Sequence, residues 1–192
     1  LHGQRIYNYI SNLWFMPSTP VLSNAGTERG LPISCFLNEA SDSLTGIVDL
    51  WSENVWLAAK GGGIGSYWGN LRSIGEQVGR VGKTSGIMPF IKVMDSLTLA
   101  ISQGSLRRGS AACYLPIDHP EIEEFIEMRR PTGGDPNRRA LNLHHGVLVT
   151  DAFMRAVELD EQWPLKSPYD ATVQSKISAR NLWIRLLTAR VE

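Results

Sequence analysis

The chain has 192 residues, a length that suits one domain or a large part of one. Its 19 Lys and Arg balance 19 Asp and Glu, which argues against a protein that coats nucleic acid or binds membrane surfaces through a basic excess. No apolar run reaches the roughly 18 residues of a membrane span, we expect no secretory leader, and two cysteines suit a reducing compartment. We therefore expect a cytoplasmic protein with neither membrane nor nucleic acid as a partner.

Both ends of the sequence lie within helical patterns. Ile6, Ile10, Leu13 and Trp14 recur at helical spacing near the start, and the last segment, 178–192, begins with a serine typical of an N-cap and has no terminator. Natural domains rarely end within a helix. We therefore expect the sequence to be a piece of a longer protein.

The first part of the chain predicts two helices and a strand. A first helix is expected to end near Met16, because Pro17 and Pro20 favour extended backbone. The elements that follow are a strand over 33–37, a helix over 43–60 with Asp42 as its N-cap, and a glycine-rich break at 61–65.

The rest of the chain alternates helices and strands. In order, we predict a loop over 71–86, a helix over 89–101, a loop over 102–110, a strand over 111–115, a helix capped by Asp118, a loop over 130–136, a strand over 143–149 and a helix capped by Thr150 or Asp151. This alternation indicates an α/β fold with a mostly parallel sheet, either open or closed into a barrel.

Two glycine-rich segments invite a ligand-binding interpretation. The run 79–84 looks like a phosphate-binding loop, but that motif needs a glycine where Gln77 stands. A loop that carries Arg80 and Lys83 can still wrap an anionic ligand. Segment 61–65 follows a helix rather than preceding one, so it is not a dinucleotide-binding fingerprint, and a helix C-cap with a tight turn explains it equally well.

The remaining polar residues do not form a recognisable catalytic or metal motif. A buried, inert cysteine is the default interpretation for Cys35 and more so for Cys113, which lies in an apolar strand. His144 and His145 point to opposite faces of a strand and cannot share a metal ion, so we predict no metal site. The arginines at 107–108 belong either to a solvated surface or to a reader of anions and bases. These residues alone indicate an α/β domain that binds an anionic ligand on glycine-rich loops.

Seven short motifs, taken in order, resemble the large catalytic subunit of ribonucleotide reductase. They are PSTP at 17–20, SC at 34–35, DSL at 42–44, GGGIG at 61–65, LR at 71–72, SQGSLR at 102–107 and HPEIEEF at 119–125. The resemblance implies a ten-stranded α/β barrel made of two half-barrels of parallel strands. Residues 1–192 would form a partial catalytic barrel domain that supplies the first half-barrel with its flanking helices.

The resemblance implies reduction of the 2′-hydroxyl of a ribonucleoside diphosphate by protein-radical chemistry. Cys35 matches the strand cysteine that delivers reducing equivalents and forms a disulfide with a second barrel cysteine in each turnover, a position that Cys113 does not match. Thr19 and Ser34 match positions that hold the substrate through hydroxyl and backbone groups. Gly63 matches a backbone amide that contacts the substrate.

The resemblance also implies a regulatory site for ATP or a deoxynucleoside triphosphate. Asp42, Ser43 and Leu44 match the start of this site, with Asp42 accepting from the sugar hydroxyl and the helix N-terminus facing the phosphates. Arg72 matches a phosphate-binding arginine. Arg80 matches a second one only after a shift of one residue.

A loop between the two sites matches the segment that carries effector identity to the substrate base. Gln103 and Arg107 are the predicted readers in this specificity loop, and Arg108 stands where some family members have glycine. A glycine-rich loop between two sites suits the bistable element that allosteric coupling requires.

The resemblance further implies partners. No cofactor is expected to bind this chain directly; the radical would come from a metal-containing small subunit, which the segments at 31–35, 68–72 and 142–146 favour, or alternatively from adenosylcobalamin. Thioredoxin or glutaredoxin would reduce the cysteine pair again, and a homodimer would form through the effector site.

The radical-bearing Asn-x-Cys-x-Glu motif, the ATP cone and the tail cysteines do not occur in this sequence, so we expect the chain alone to be inactive. A non-catalytic nucleotide-binding regulatory domain is the alternative. The presence of Cys35, Thr19 and Ser34 argues against it, because a domain that only binds effectors needs none of them.

Overall fold

The computed structural model describes residues 1–28, 32–103 and 107–191, except for the side chains of residues 102, 103, 107 and 108. Its helices are α1 His2–Ser11, α2 Thr19–Asn24, α3 Leu44–Ala59, α4 Met88–Ala100, α5 Ile122–Glu127, α6 Asp151–Glu158 and α7 Ala179–Val191, with a 3-10 turn at Pro136–Arg138. Its strands are β1 Cys35–Glu39, β2 Gly63–Tyr67, β3 Gln77–Val78, β4 Gly82–Lys83, β5 Ser102–Gln103, β6 Arg107–Arg108, β7 Ser110–Pro116, β8 His144–Leu148, β9 Gln162–Lys166 and β10 Val173–Ser178.

Four parallel strands form the central sheet, in the order β1-β2-β7-β8. Across it, Cys35 pairs with Gly63, Gly63 pairs with Ser110, and Ala112 pairs with His144. Each connection contains a helix, as parallel pairing requires: α3, α4 and α5 lead from one strand to the next. The predicted α/β fold with a parallel sheet is confirmed, and among the described residues this sheet is open.

The helices cover one face of the sheet. Alternate residues of β2 and β7 are buried on that face, namely Ile64, Ser66, Ala111, Cys113 and Leu115. Apolar side chains of α3, α4 and α5 pack against them in a single hydrophobic core. Because burial follows the two-residue period of a strand, the alternate side chains of β2 and β7 must point to the opposite face.

Three antiparallel hairpins accompany the sheet in the described part of the chain. β3 pairs with β4 inside the segment predicted as a loop, and its turn begins at Gly79, which has a φ of 63°. β5 pairs with β6 in the predicted specificity loop. The third hairpin, β9 with β10, was not predicted, and it contacts both α6 and α7. The run 79–84 is therefore a hairpin turn with its second strand, not a nucleotide-hydrolysis loop.

The N-terminus of α3 differs from the prediction by one residue. Ser43, not Asp42, is the N-cap, and its Oγ accepts a hydrogen bond from the Gly46 amide at 3.0 Å. Asp42 instead turns its carboxylate to Arg72. The change frees Asp42 for a contact between two segments of the chain.

For the starts of three other helices, two predictions were wrong and one is confirmed. Pro20 lies in the first turn of α2, where its missing N–H is not needed, so the predicted extended backbone there was wrong. Glu121, not Asp118, precedes the first residue of α5. Thr150 caps α6 as predicted, with its hydroxyl accepting from the Phe153 amide. Within the described residues, the structure contains no helix long and apolar enough to span a membrane.

Candidate functional site

The face of the sheet opposite the helices carries a cavity beside Cys35. The cavity has a volume of about 250 Å3 and is lined from all four strands, by Cys35, Gly65, Tyr114 and His144 among others. Cys35 opens β1 and its thiol is exposed. The arrangement presents a nucleophilic, redox-capable thiol at the rim of a concave surface.

Glycines flank the ring of Tyr114, which lines this cavity. A Cβ at Gly146 would lie 2.7 Å from the Tyr114 ring, and one at Gly65 would lie 3.2 Å from that ring and 2.8 Å from Leu37 Cδ2. The distances of 2.7 and 2.8 Å are shorter than real Cβ contacts, and the distance of 3.2 Å is a tight one. The glycines on β2 and β8 therefore let the ring of Tyr114 lie across the sheet between them.

The structure brings together only part of the predicted substrate site. Cys35 and Gly63 are paired across β1 and β2, and both line the cavity. The Gly63 amide donates to the Ser34 carbonyl at 2.7 Å, so that amide is already bonded within the protein. Thr19 begins α2, and neither Thr19 nor Ser34 is among the residues lining the cavity.

The second cysteine has the surroundings of an inert thiol. Cys113 is fully buried on the helix side of β7, with its Sγ 3.9 Å from Met94 Sδ. Burial, reinforced by the carboxylate of Asp95, raises the pKa of Cys113 far above its usual value. The two cysteines thus lie on opposite faces of the sheet, and they do not form a disulfide with each other.

A second cavity lies at the N-terminus of α3. It has a volume of about 310 Å3, which is within the range of small-molecule sites. Its lining combines the predicted effector residues Asp42, Ser43, Leu44 and Arg72 with apolar and basic side chains from 71–90. The structure therefore brings four of the five predicted effector residues to one concave surface.

Arg72 is held from several sides. Its Nε lies 2.6 Å from Asp42 Oδ2, its own amide donates to Asp42 Oδ1 at 3.2 Å, and its Nη1 donates to the Gln77 carbonyl at 2.7 Å. The ring of Tyr169 stacks on the guanidinium, with 4.5 Å between Cζ and the ring centroid. These contacts fix the orientation of the cation, and nothing in the sequence pattern indicated the role of Tyr169.

The fifth predicted effector residue lies elsewhere. Arg80 is exposed in the turn between β3 and β4 and does not line the cavity, whereas Lys83 on β4 does. The hairpin accounts for the difference, because its turn carries residues 79–81 away from the strand that faces α3. The effector role of Arg80 thus loses its geometric support, and Lys83 provides the second cationic side chain.

The predicted specificity loop connects the two cavities along the chain. In its described residues, β5 pairs with β6, and Gln103 lies opposite Arg107. The side chains of both predicted readers lie outside the described part of the structure. The hairpin follows α4 and leads directly into Ser110, which lines the cavity beside Cys35.

Among residues 1–28, 32–103 and 107–191, no group of three or more His, Cys, Asp or Glu side chains could hold a metal ion. His145 is occupied otherwise, with its Nε2 3.1 Å from the Ile126 carbonyl.

Comparisons with known proteins agree with the motifs. A family model described as "Ribonucleotide reductase, barrel domain" matches residues 33–191, and one described as "Ribonucleotide reductase, all-alpha domain" matches residues 2–30. The chain is 45% identical to a putative ribonucleoside-diphosphate reductase large subunit of Frog virus 3, over 98% of this chain and 32% of that protein. It is 40% identical to the large subunit of Invertebrate iridescent virus 6, over 100% of this chain and 20% of that protein. For the alpha subunit of Chlamydia muridarum the identity is 36%, over 85% of this chain and 16% of that protein. The chain thus spans less than a third of each of these relatives.

Proposed function

The chain belongs to the ribonucleotide reductase large-subunit family, and on this premise we propose that its protein reduces ribonucleoside diphosphates to 2′-deoxyribonucleotides. The observation that carries the proposal is the exposed thiol of Cys35 beside the cavity on the open face of the sheet. Tyr114 and Gly65 line the same cavity as Cys35, and we propose that the substrate binds there. Thr19 and Ser34 remain proposed substrate contacts on the resemblance alone.

In the proposed reaction, Cys35 acts as one half of a dithiol. Two thiols lose two electrons and two protons and form a disulfide, while the 2′-carbon exchanges its hydroxyl for hydrogen and the hydroxyl leaves as water. The second thiol must come from outside this sequence, since Cys113 is buried on the other face. Thiol–disulfide exchange with a thioredoxin or glutaredoxin would then restore the pair.

The reaction also needs a radical, which we propose is supplied by a separate small subunit. The names of the relatives, which specify a large or an alpha subunit, favour this source over adenosylcobalamin. Assay of the complete protein with a small-subunit partner and, separately, with adenosylcobalamin distinguishes the two. We place this chemistry in the cytoplasm, where reductants for the disulfide are available.

We propose that the cavity at α3 binds ATP or a deoxynucleoside triphosphate as an effector. Arg72 and Lys83 would contact the phosphates, together with the N-terminus of α3. The Asp42 carboxylate retains acceptor capacity for a sugar hydroxyl beyond its contacts with Arg72. The side chains of Leu44 and Val48 are exposed one turn apart on α3, and this apolar surface supports a homodimer through the effector site.

Substitution of Cys35 in the complete protein tests the catalytic part of the proposal. We expect Cys35→Ser to abolish turnover with a dithiol reductant, while Cys113→Ser, the matched control, retains most of it. Nucleotide binding at α3 should survive in both variants. Unchanged turnover in Cys35→Ser would favour a nucleotide-binding regulatory domain without a catalytic role.

A further inference from the structure

The segment 71–87 supplies much of the α3 cavity but contains little regular structure of its own. Arg72, Val78 and Lys83 all come from it, and its only strands are the two-residue β3 and β4. So short a hairpin is unstable by itself. Its position must therefore be fixed by contacts with the rest of the fold. Some come from the β9–β10 region, where Ser167 and Gln174 bond Glu76 and Ser73, and the contacts to the backbone of its two ends come largely from the start of the HPEIEEF motif.

His119 holds the beginning of the segment. Its side chain is buried, its Nε2 lies 2.9 Å from the Leu71 carbonyl, and its Nδ1 accepts from the Glu121 amide at 3.1 Å. Because Nδ1 accepts, the proton of the neutral ring is on Nε2, which donates to Leu71. Burial lowers the pKa of His119, which keeps the ring in this neutral form.

Glu121 joins the two ends of the hairpin region. Its Oε2 accepts from the Ile74 amide at 3.1 Å and from the Ile87 amide at 3.0 Å, so one carboxylate bridges positions 74 and 87. Gly86, with a φ of 83°, leaves room for the carboxylate, because a Cβ there would collide with it. Arg138 compensates the buried charge, with its Nη2 3.3 Å from Glu121 Oε1. Its Nη1 also donates to the Ser85 carbonyl at 3.0 Å.

We propose that His119 and Glu121 are positioning residues for the nucleotide cavity, because they clamp the segment that carries Arg72 and Lys83. The inference rests on the proposed effector function of that cavity. It assigns a role to a motif whose residues do not line the cavity. Nucleotide affinity then depends on two buried side chains under the loop as well as on the cations that face the phosphates.

The test compares Glu121→Gln with Glu124→Gln in the complete protein. Glu124 is a matched control, because it binds the same Arg138 at 2.6 and 2.7 Å but has no hydrogen bond to the 71–87 backbone. At pH 8, where the Glu121 carboxyl is ionised, we expect Glu121→Gln to weaken binding of ATP and of each deoxynucleoside triphosphate about tenfold, because a neutral amide oxygen would replace the carboxylate that both backbone amides bind. Glu124→Gln should remain within about twofold of the wild type.

Hydrogen–deuterium exchange separates positioning from general destabilisation. In Glu121→Gln without nucleotide, amides of 74–87 should exchange faster, and saturating nucleotide should restore both their protection and the wild-type turnover. His119→Gln, whose amide can still donate to the Leu71 carbonyl, should bind nucleotide more tightly than His119→Leu. This second pair carries the test if Glu121→Gln does not fold.

Specific outcomes would overturn the inference. Faster exchange in 74–87 with unchanged nucleotide affinity would make the clamp purely structural. Equal weakening by Glu121→Gln and Glu124→Gln would assign the effect to Arg138 instead. Failure of the wild-type protein to bind any of these nucleotides would refute the proposed effector function, a result distinguishable from failure of the clamp.

Discussion

A buried carboxylate on α4 offers a sharp test of how the sheet is held beside the candidate active site. Asp95 is 1% exposed, and its Oδ1 accepts from the amides of Asn142 at 2.8 Å and Leu143 at 3.1 Å. Its Oδ2 faces the Asn142 side-chain amide at 3.2 Å and Lys92 at 3.4 Å. These contacts fix the start of β8, whose first residue, His144, lines the cavity beside Cys35.

Asp95→Ala would leave the amides of Asn142 and Leu143 without their acceptor; Leu143 is buried, whereas Asn142 is exposed, so water can replace part of its lost bond. A hydrogen bond to a charged group contributes about 1.5–3 kcal/mol, so we expect the two together to cost about 3–5 kcal/mol of local stability. Asp95→Asn keeps an oxygen for both amides but loses the charge, and should cost about 1–2 kcal/mol. Lys92→Gln should cost under about 1 kcal/mol, because that ion pair is partly exposed.

Hydrogen exchange at the Asn142 and Leu143 amides measures these costs where they occur, since local opening reports local free energy. Exchange should accelerate most in Asp95→Ala and least in Lys92→Gln. If Lys92→Gln matched Asp95→Ala, the ion pair and not the amide bonds would stabilise β8. If neither variant changed exchange at these two amides, the reasoning from buried hydrogen bonds would fail.

Three further predictions concern single side chains. Cys113 should not be alkylated in the folded protein, because it is fully buried, and should be alkylated after unfolding, with mass spectrometry as the measurement. Alkylation of Cys113 in the folded protein would contradict its burial. Tyr169→Leu should weaken triphosphate binding about two- to fivefold, because it removes the ring that stacks on Arg72. Tyr169→Phe keeps the ring and should bind as the wild type does. Equal loss of affinity in both variants would contradict a role for the stacking contact. Burial, opposed by the bonded amides and Arg138, raises the pKa of Glu121 from 4.5 to about 7. A carboxyl whose pKa is raised in the folded state stabilises the fold at pH values below its unfolded pKa, and this contribution is lost as the pH rises to 7. The free energy of unfolding should therefore fall between these pH values, and Glu121→Gln should remove up to about 3 kcal/mol of that fall. Denaturation at several pH values measures it, and the same pH profile in both proteins would refute the prediction.

Elements with a strong hydrophobic period were predictable from the sequence. The helix predicted over 89–101 is α4, and the strands predicted over 111–115 and 143–149 are β7 and β8, each within two residues at either end. Burial on one side of a sheet enforces such patterns, and so they survive in the sequence. The β9–β10 hairpin lacked this signal, because β10 has mostly exposed side chains and β9 contains a proline.

The sites were predictable to the extent that the motifs were local. The DSL motif at 42–44 and Arg72 meet in one cavity as the resemblance implied. The contribution of Lys83 in place of Arg80 depends on hairpin geometry that residue spacing does not reveal. Tyr169 reaches Arg72 across nearly a hundred residues of sequence, a contact that only the tertiary structure can show. An acid on the apolar face of α4 was the one available signal for Asp95.

The placement of α4 has a mechanical consequence. At 1.5 Å per residue the helix is about 20 Å long, beginning where the 71–87 segment ends and stopping just before the β5–β6 hairpin. Asp95 anchors it to the sheet roughly 10 Å from Met88 and about 8 Å from Ala100. Met88, Ile91, Met94 and Thr98 are also buried, so the helix is packed against the core along most of its length. The helix thus joins the end of the 71–87 segment to the start of the β5–β6 hairpin as one rigid element of the core.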